Sequence, residues 1–272
     1  MPLELSQLRS LLRELGVRRG GVLLVHAALG GTGLRARAVR DALLDALGPA
    51  GTLVVPAFTP ENSDTSPLYR RHVQGLSGPD RAAFRALMPP FVPETTPCPS
   101  MGALAERVRV SPGAVRSVHP QTSFAALGPR AGELLDGHDP HCHLGERSPL
   151  ARLYAADAQI LLFRVGFEVC SAFHLAEYRM TPPPPPRTYR CVVQDTRADG
   201  TAKSRWISYQ DIELHDGDFG TVGARLPRSL FTERAAAGRP VRLLPLRETV
   251  DRARELLSAS RPDRTSLPGP TG

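Results

Sequence analysis

Residues 171–179, SAFHLAEYR, carry a histidine and a glutamate three positions apart. At that spacing on a helix the two side chains share a face. The apolar run just before, QILLFRVG at 159–166, has the length and composition of a buried strand. A helix starting after that strand tip puts His174 in its first turn, where the partial positive charge of the N-terminus disfavours imidazolium. A neutral imidazole accepts a proton at pH 7, and Glu177 is placed to hold its other nitrogen and fix the tautomer. The same two residues also suit a histidine satisfied within its own helix, so the pair alone leaves base and packed residue both open.

Other reactive types are less well placed. Cys170 lies four residues before His174, but nothing around it marks a lowered thiol pKa, and the default for a lone cysteine is a small buried hydrophobe. The four cysteines Cys98, Cys142, Cys170 and Cys191 form no CxxC pair and read as reduced thiols. The loop 137–146, GHDPHCHLGE, gathers His138, His141, Cys142, His143 and Glu146. These are metal-ligand types, yet no HxxxH sits on an expected helix and no second cysteine pair follows, so the loop reads as polar structure near a site and no metal is expected. Gly31, Gly33 and Ala36 fit a loose GxGxxA pattern, but the next strand ends VVPAFTP without the acid that holds a ribose. That loop is read instead as glycine letting a ligand approach the backbone. No GxSxG elbow occurs, and the single lysine, Lys203, is not part of a phosphate-binding GxxxxGK.

The elements that must position these residues alternate. Leu8, Leu11, Leu12 and Leu15 predict a helix ended by Gly16; Val22 to Val25 predicts a buried strand; Val39, Leu43, Leu44 and Leu47 predict a helix closed by Gly48; GTLVVPAF predicts a strand stopped by Pro56. This order points to an α/β fold with a central mixed sheet flanked by helices. A long Pro-rich excursion runs from Thr59 to about Pro99, and a loop of that length usually has a function. After the five prolines 182–186, TYRCVVQD and SRWISYQDI alternate as a hairpin or meander, giving a C-terminal β-rich lobe, and LRETVDRARELL predicts a last amphipathic helix. We read residues 1–260 as one domain and 261–272 as a disordered tail.

The 272 residues carry a net charge of +7, but 33 of the 34 basic residues are scattered arginines with no basic run, so no nucleic-acid partner is expected. No apolar run reaches the ~18 residues of a membrane span, and the N-terminus lacks a basic start and an apolar core; a cytoplasmic location without membrane attachment is expected.

A set of motifs in fixed order adds to this. LLVHAAL, GTLVVPAFTPENSDTS, MPPFVPETTP, MGALAERVRVSPGAVRSVHPQTSFAALG, HLGERSPLARLY and FHLAEYR together resemble the aminoglycoside 3-N-acetyltransferase family, from about Leu3 to Arg179. The resemblance implies direct transfer of acetyl from acetyl-CoA, as co-substrate, to an amine, with His174 as general base. It implies that a downstream acid orients the base, Asp211 first and then Asp216 or Asp218, with Glu177 in the same motif. It places the CoA arm along the VHAAL turn at His26, Ala27, Ala28 and Leu29. It makes RSVHPQTSF the other CoA wall, through Arg116, His119, Ser123 and Phe124, with Arg116 near the phosphates. Glu61 and Asp64 of PENSDTS, with Glu168 and Ser171, are the implied acceptor contacts.

Two departures bear on the substrate. Ala27 and Ala28 stand where the family often has serines, which removes hydroxyl contacts but not backbone ones. The loop 166–174, GFEVCSAFH, is less polar than the family's, and suggests an acceptor less cationic than a typical aminoglycoside. The expected activity is therefore N-acetylation of an aminoglycoside or related metabolite, as in antibiotic resistance. The alternatives are an acyltransferase of the same fold acting on a non-aminoglycoside amine in biosynthesis or self-resistance, and a non-catalytic CoA-binding relative. A homodimer is compatible with this reading.

Overall fold

A computed structural model of the chain describes residues 2–196 and 202–261. Of the expected tail 261–272, only Arg261 is among them; 262–272 lie outside the described residues.

Helix α1 (Leu5–Leu15) buries Leu8, Leu11, Leu12 and Leu15 and ends at Gly16, whose φ of 93° lies in the left-handed region that glycine enters without a Cβ penalty. Strand β1 (Val22–Ala27), helix α2 (Ala36–Leu47) and strand β2 (Thr52–Pro56) follow. The stretch after Thr59, expected to be irregular, contains helices α3 (Pro67–His72) and α4 (Gly78–Ala86). Ser66 and Ser77 cap them by accepting from Tyr69 N and Asp80 N, with proline in each first turn, a start signal hidden among the prolines. Then come α5 (Gly102–Arg109), β3 (Val115–Arg116), β4 (Phe124–Leu127), α6 (Ala131–Leu135), α7 (Pro149–Ala155), β5 (Gln159–Phe163) and α8 (Ala172–Tyr178). The remainder is β6 (Pro186–Thr196), β7 (Ala202–Ile212), α9 (Phe219–Ala224), β8 (Thr232–Ala236), β9 (Arg239–Pro245) and α10 (Leu246–Ser260).

Seven strands form a mixed sheet in the order β3-β4-β2-β1-β5-β9-β8. The central β1 runs parallel to β2 and β5, and the outer strands are antiparallel. Strand alternation sorts the core onto two faces. Leu24, Val54, Phe124, Ile160 and Leu162 pack under α6 to α10; Leu23, Val25, Leu53, Leu161 and Phe163 pack under α1, α2 and α5. The β-rich C-terminal part serves two purposes. β8 and β9 extend the central sheet beyond β5, while β6 and β7 form a separate hairpin in continuous register from Pro186↔Ile212 to Thr196↔Ala202. No helix among the described residues is long and apolar enough to cross a membrane.

Candidate active site

The carboxyl ends of the three parallel strands open onto one cavity of about 570 Å³. Chain leaving β1 (Ala27 to Gly30), β2 (Pro56 and Phe58) and β5 (Val165, and Glu168 to Ser171) lines it, as does the first turn of α5 from Gly102. This is the crevice where ligands sit in open α/β sheets.

His174 faces this cavity. The three-residue 3₁₀ turn Phe167–Val169 carries the chain from β5 into α8, whose Phe173, Leu175 and Ala176 are fully buried. His174 Nδ1–H donates to Glu177 Oε2 at 2.5 Å, the i,i+3 contact read from the sequence. Among the described residues no protein group bonds Nε2, and the Phe219 ring packs against the imidazole at 4.8 Å between centroids, tilted by 59°. Glu177 is 0% exposed. Its other oxygen accepts from His215 N at 2.9 Å and from Arg261 Nη1 at 2.5 Å. Three donors on a buried carboxylate satisfy its oxygens and hold it in one orientation.

His26 has the same strand parity as Val22 and Leu24, so it points to the α8 face and shares a hydrogen bond of 3.2 Å with Ser171 Oγ. Burial, with His174 adding to it, pushes the His26 pKa down to about 4, so its ring is neutral. Cys170 lines the cavity, but burial raises its thiol to about 12, which removes it as a nucleophile.

Several anticipated site residues sit elsewhere. Asp211 does not hold His174: its carboxylate accepts from His143 N at 2.7 Å and from the Tyr178 hydroxyl, and so ties the hairpin to α8. Asp218 is taken by Arg261 at 2.6 Å; Asp216 lines the cavity. The acid on His174 is thus its helix neighbour Glu177.

The stretch RSVHPQTSF does not reach the cavity. Arg116 donates to Ser123 Oγ at 3.0 Å, to Ala57 O at 2.7 Å and to the carbonyls of Pro93 and Thr96. Burial brings its pKa down to about 10, and its donors are spent on three carbonyls and the Ser123 hydroxyl rather than left for phosphate. His119, Ser123 and Phe124 are fully buried. His119 Nδ1 accepts from the N–H groups of Gln121 and Thr122, and its ring stacks on His138 at 4.8 Å. His138 Nε2–H donates to the carbonyls of Cys142 and His143, and His143 meets the Tyr209 hydroxyl at 2.9 Å. The histidine loop is therefore a buried polar bracket between the sheet and the hairpin. No group of three or more His, Cys, Asp or Glu placed to hold a metal occurs among the described residues.

Of the implied acceptor contacts, Glu168 and Ser171 line the cavity. Glu61 accepts from Ser100, itself a lining residue, at 2.7 Å. Asp64 is buried between Arg85 at 2.6 Å and Arg190 at 3.1 Å and does not face the cavity.

Three residues escaped the sequence reading. Phe219 and Arg261 are brought to His174 and Glu177 from α9 and the end of α10. Arg164, at φ 60°, donates to Ala28 O at 3.2 Å and Gly30 O at 2.5 Å and so holds the turn after β1 from below. Only the positive charge after an apolar strand hinted at it.

Comparison with known proteins agrees with this architecture. The family model described as aminoglycoside 3-N-acetyltransferase matches residues 24–258. The chain is 32% identical over 219 residues to the SPbeta prophage-derived aminoglycoside N(3')-acetyltransferase-like protein YokD of Bacillus subtilis, covering 78% of this chain and 76% of that one. It is 32% identical to aminoglycoside N(3)-acetyltransferase IX of Micromonospora chalcea, over 81% of this chain and 77% of the relative. The crystal structure of YokD from Bacillus subtilis superposes with a TM-score of 0.84 at 29% identity, over 96% of this chain and 95% of that one. With a family model matching residues 24–258 and relatives of 32% identity covered over most of their length, the chain belongs to the aminoglycoside 3-N-acetyltransferase family.

Proposed function

We propose that the protein transfers the acetyl group of acetyl-CoA directly to an amine of an aminoglycoside, with His174 as general base. The observation that carries this is His174 itself: Nδ1 is locked to a buried carboxylate, no group among the described residues bonds Nε2, and the residue lines a cavity at the carboxyl ends of parallel strands.

The cavity suits the co-substrate. Its walls at the β1 tip and the α5 start are Ala27, Ala28, Gly30 and Gly102, so a thin pantetheine arm lies against backbone. Gly102 has φ 84° and ψ 173°, a conformation essentially confined to glycine, and a Cβ there would stand 3.7 Å from Ala27 O at that wall. Acetyl-CoA supplies an acetyl group activated as a thioester. The chain's residues do the rest. The amine nitrogen attacks the carbonyl carbon as His174 Nε2 takes its proton; the N–C bond forms, the C–S bond breaks, and the proton passes from His174 to the leaving sulfur. The Glu177 carboxylate stabilises the imidazolium while it exists. The Gly102 N–H is taken by Pro99 O, so the first-turn N–H groups of α5 beyond it are the donors for the negative charge growing on the carbonyl oxygen.

One observation favours an acceptor with fewer ammonium groups than the usual aminoglycosides. Asp64 is withdrawn into ion pairs, and Val169 beside Glu168 is 44% exposed at the cavity. A thiol-release assay with acetyl-CoA tests both readings against a panel running from polyamino sugars to simple amines. Turnover of an aminoglycoside that vanishes in His174→Ala supports the main reading. Turnover confined to monoamines supports the second, and no thiol release with any amine overturns both.

A further inference from the structure

Arg261 lies just beyond α10, outside every motif that carries the family resemblance, yet it reaches the centre of the site. Its guanidinium donates to Glu177 Oε1 at 2.5 Å, to both oxygens of Asp218 at 2.9 and 2.6 Å, and to His215 O at 2.6 Å. Its side chain is 17% exposed, and Glu177 is wholly buried. Burial opposes the charge, but Asp218 and Glu177 hold the guanidinium above the ordinary arginine value. None of these hydrogen bonds goes to His174 or to a residue that lines the main cavity.

We propose that Arg261 is a positioning residue that sets the working pH of the base by sharing Glu177 with His174. The inference rests on the reading of His174 as general base. A carboxylate that served His174 alone would put a full negative charge against its ring and favour imidazolium, the form that cannot accept a proton. With Arg261 on the second oxygen, part of that charge is already compensated, so the carboxylate orients the ring with a weaker pull toward imidazolium. The other charged or titratable groups around His174 are His26 from β1, Glu168 from the turn before α8, His143 from the histidine loop, and His215, Asp216 and Asp218 from the segment before α9. Among the described residues, Arg261 is the one arginine or lysine that binds Glu177 directly.

The test is the pH dependence of kcat/KM for the wild type, Arg261→Gln and Arg261→Lys, with melting temperatures on the same samples. Removing a nearby positive charge makes protons harder to remove, so the acid limb in Arg261→Gln is expected to move to higher pH by about one unit, with KM for acetyl-CoA unchanged. Lysine keeps the charge but not the fork that spans Glu177 and Asp218, so Arg261→Lys is expected to shift part of the way. A lowered melting temperature with an unmoved limb in both variants shows a structural arginine and overturns the proposal. If Arg261→Gln does not fold, the limb of Arg261→Lys decides alone, shifted in favour and unshifted against. A wild type whose acetyl transfer survives His174→Ala would instead remove the underlying reading of the base.

Discussion

At the scale of single residues, His174 and Asp211 make opposite predictions. His174→Ala is expected to lower kcat by ~10²-fold or more while leaving the affinity for CoA nearly unchanged. Its side chain is only 13% exposed and bonds the buried Glu177, so some stability is expected to be lost along with the activity. Comparing turnover per folded molecule and melting temperature on one sample checks this, and full activity per folded molecule would mark the residue as structural. Asp211 bonds Tyr178 and His143 rather than His174. Asp211→Asn keeps one acceptor oxygen but loses the charge that two donors share. It is expected to cost about 1–3 kcal/mol of stability, read from denaturant midpoints, with kcat changed by no more than about threefold. A fall in kcat comparable to that of His174→Ala would place Asp211 back in the catalytic machinery.

At the scale of elements, the turn after β1 depends on Arg164 reaching up from the end of β5. Two charge-assisted bonds to Ala28 O and Gly30 O hold the backbone on which the CoA arm is proposed to lie. Arg164→Met is expected to raise KM for acetyl-CoA about tenfold, the equivalent of ~1.4 kcal/mol, with kcat little changed. A change confined to kcat would mean that the turn serves the chemistry rather than the binding. Arg116 gives the contrasting case. Its donors brace the chain after β2, the ends of β3 and β4, and the segment before α5. Arg116→Met is therefore expected to lower the melting temperature without altering the Kd for CoA by more than about twofold, because a buried cation with four protein acceptors is structural. Calorimetry on the folded variant measures it, and a large loss of CoA affinity would return Arg116 to the phosphate end.

The molecule as a whole should be acid-sensitive because it buries neutral histidines. Burial lowers His138 from 6.5 to about 4 and His143 from 6.5 to about 3, and His26 lies at about 4. The sign follows from linkage: below 6.5 the unfolded chain takes up protons that the folded chain refuses, so the unfolded state gains. These groups cost nothing above pH 7. Their penalty grows as pH falls from about 6.5 and levels off only below about 4 for His26 and His138 and about 3 for His143. Each contributes at most ~1.4 kcal/mol per pH unit, so the three together approach roughly 4 kcal/mol per unit in the lower part of that window. Against a typical total of about 5–15 kcal/mol, this is expected to unfold the protein near pH 5 to 4. Melting curves from pH 8 to 4.5 check it; equal midpoints at pH 7 and 5 would show that the folded rings take up protons as readily as the unfolded ones.

By itself the sequence determined the local and periodic features. Leucine spacing and Gly16 delimit α1, alternation makes β6 and β7 a hairpin, and HLAE puts His174 and Glu177 one helical turn apart. Each of these depends on residues near one another in the chain, where helix and strand geometry leaves few choices. The capped helices α3 and α4 were hidden because Ser-Pro and Ser-Gly-Pro starts look like loop punctuation until the chain beyond them turns. Tertiary structure decided which charges meet. Asp211 and Arg116 have the right chemistry for a site, but Tyr178 and His143, 33 and 68 positions from Asp211, and three carbonyls 20 to 59 positions from Arg116 claim them. Arg261 reaches Glu177 across 84 positions only because α10 packs on α8. A carboxylate or guanidinium buried in a fold takes whatever opposite group the packing brings within reach, and no spacing in a sequence records that distance.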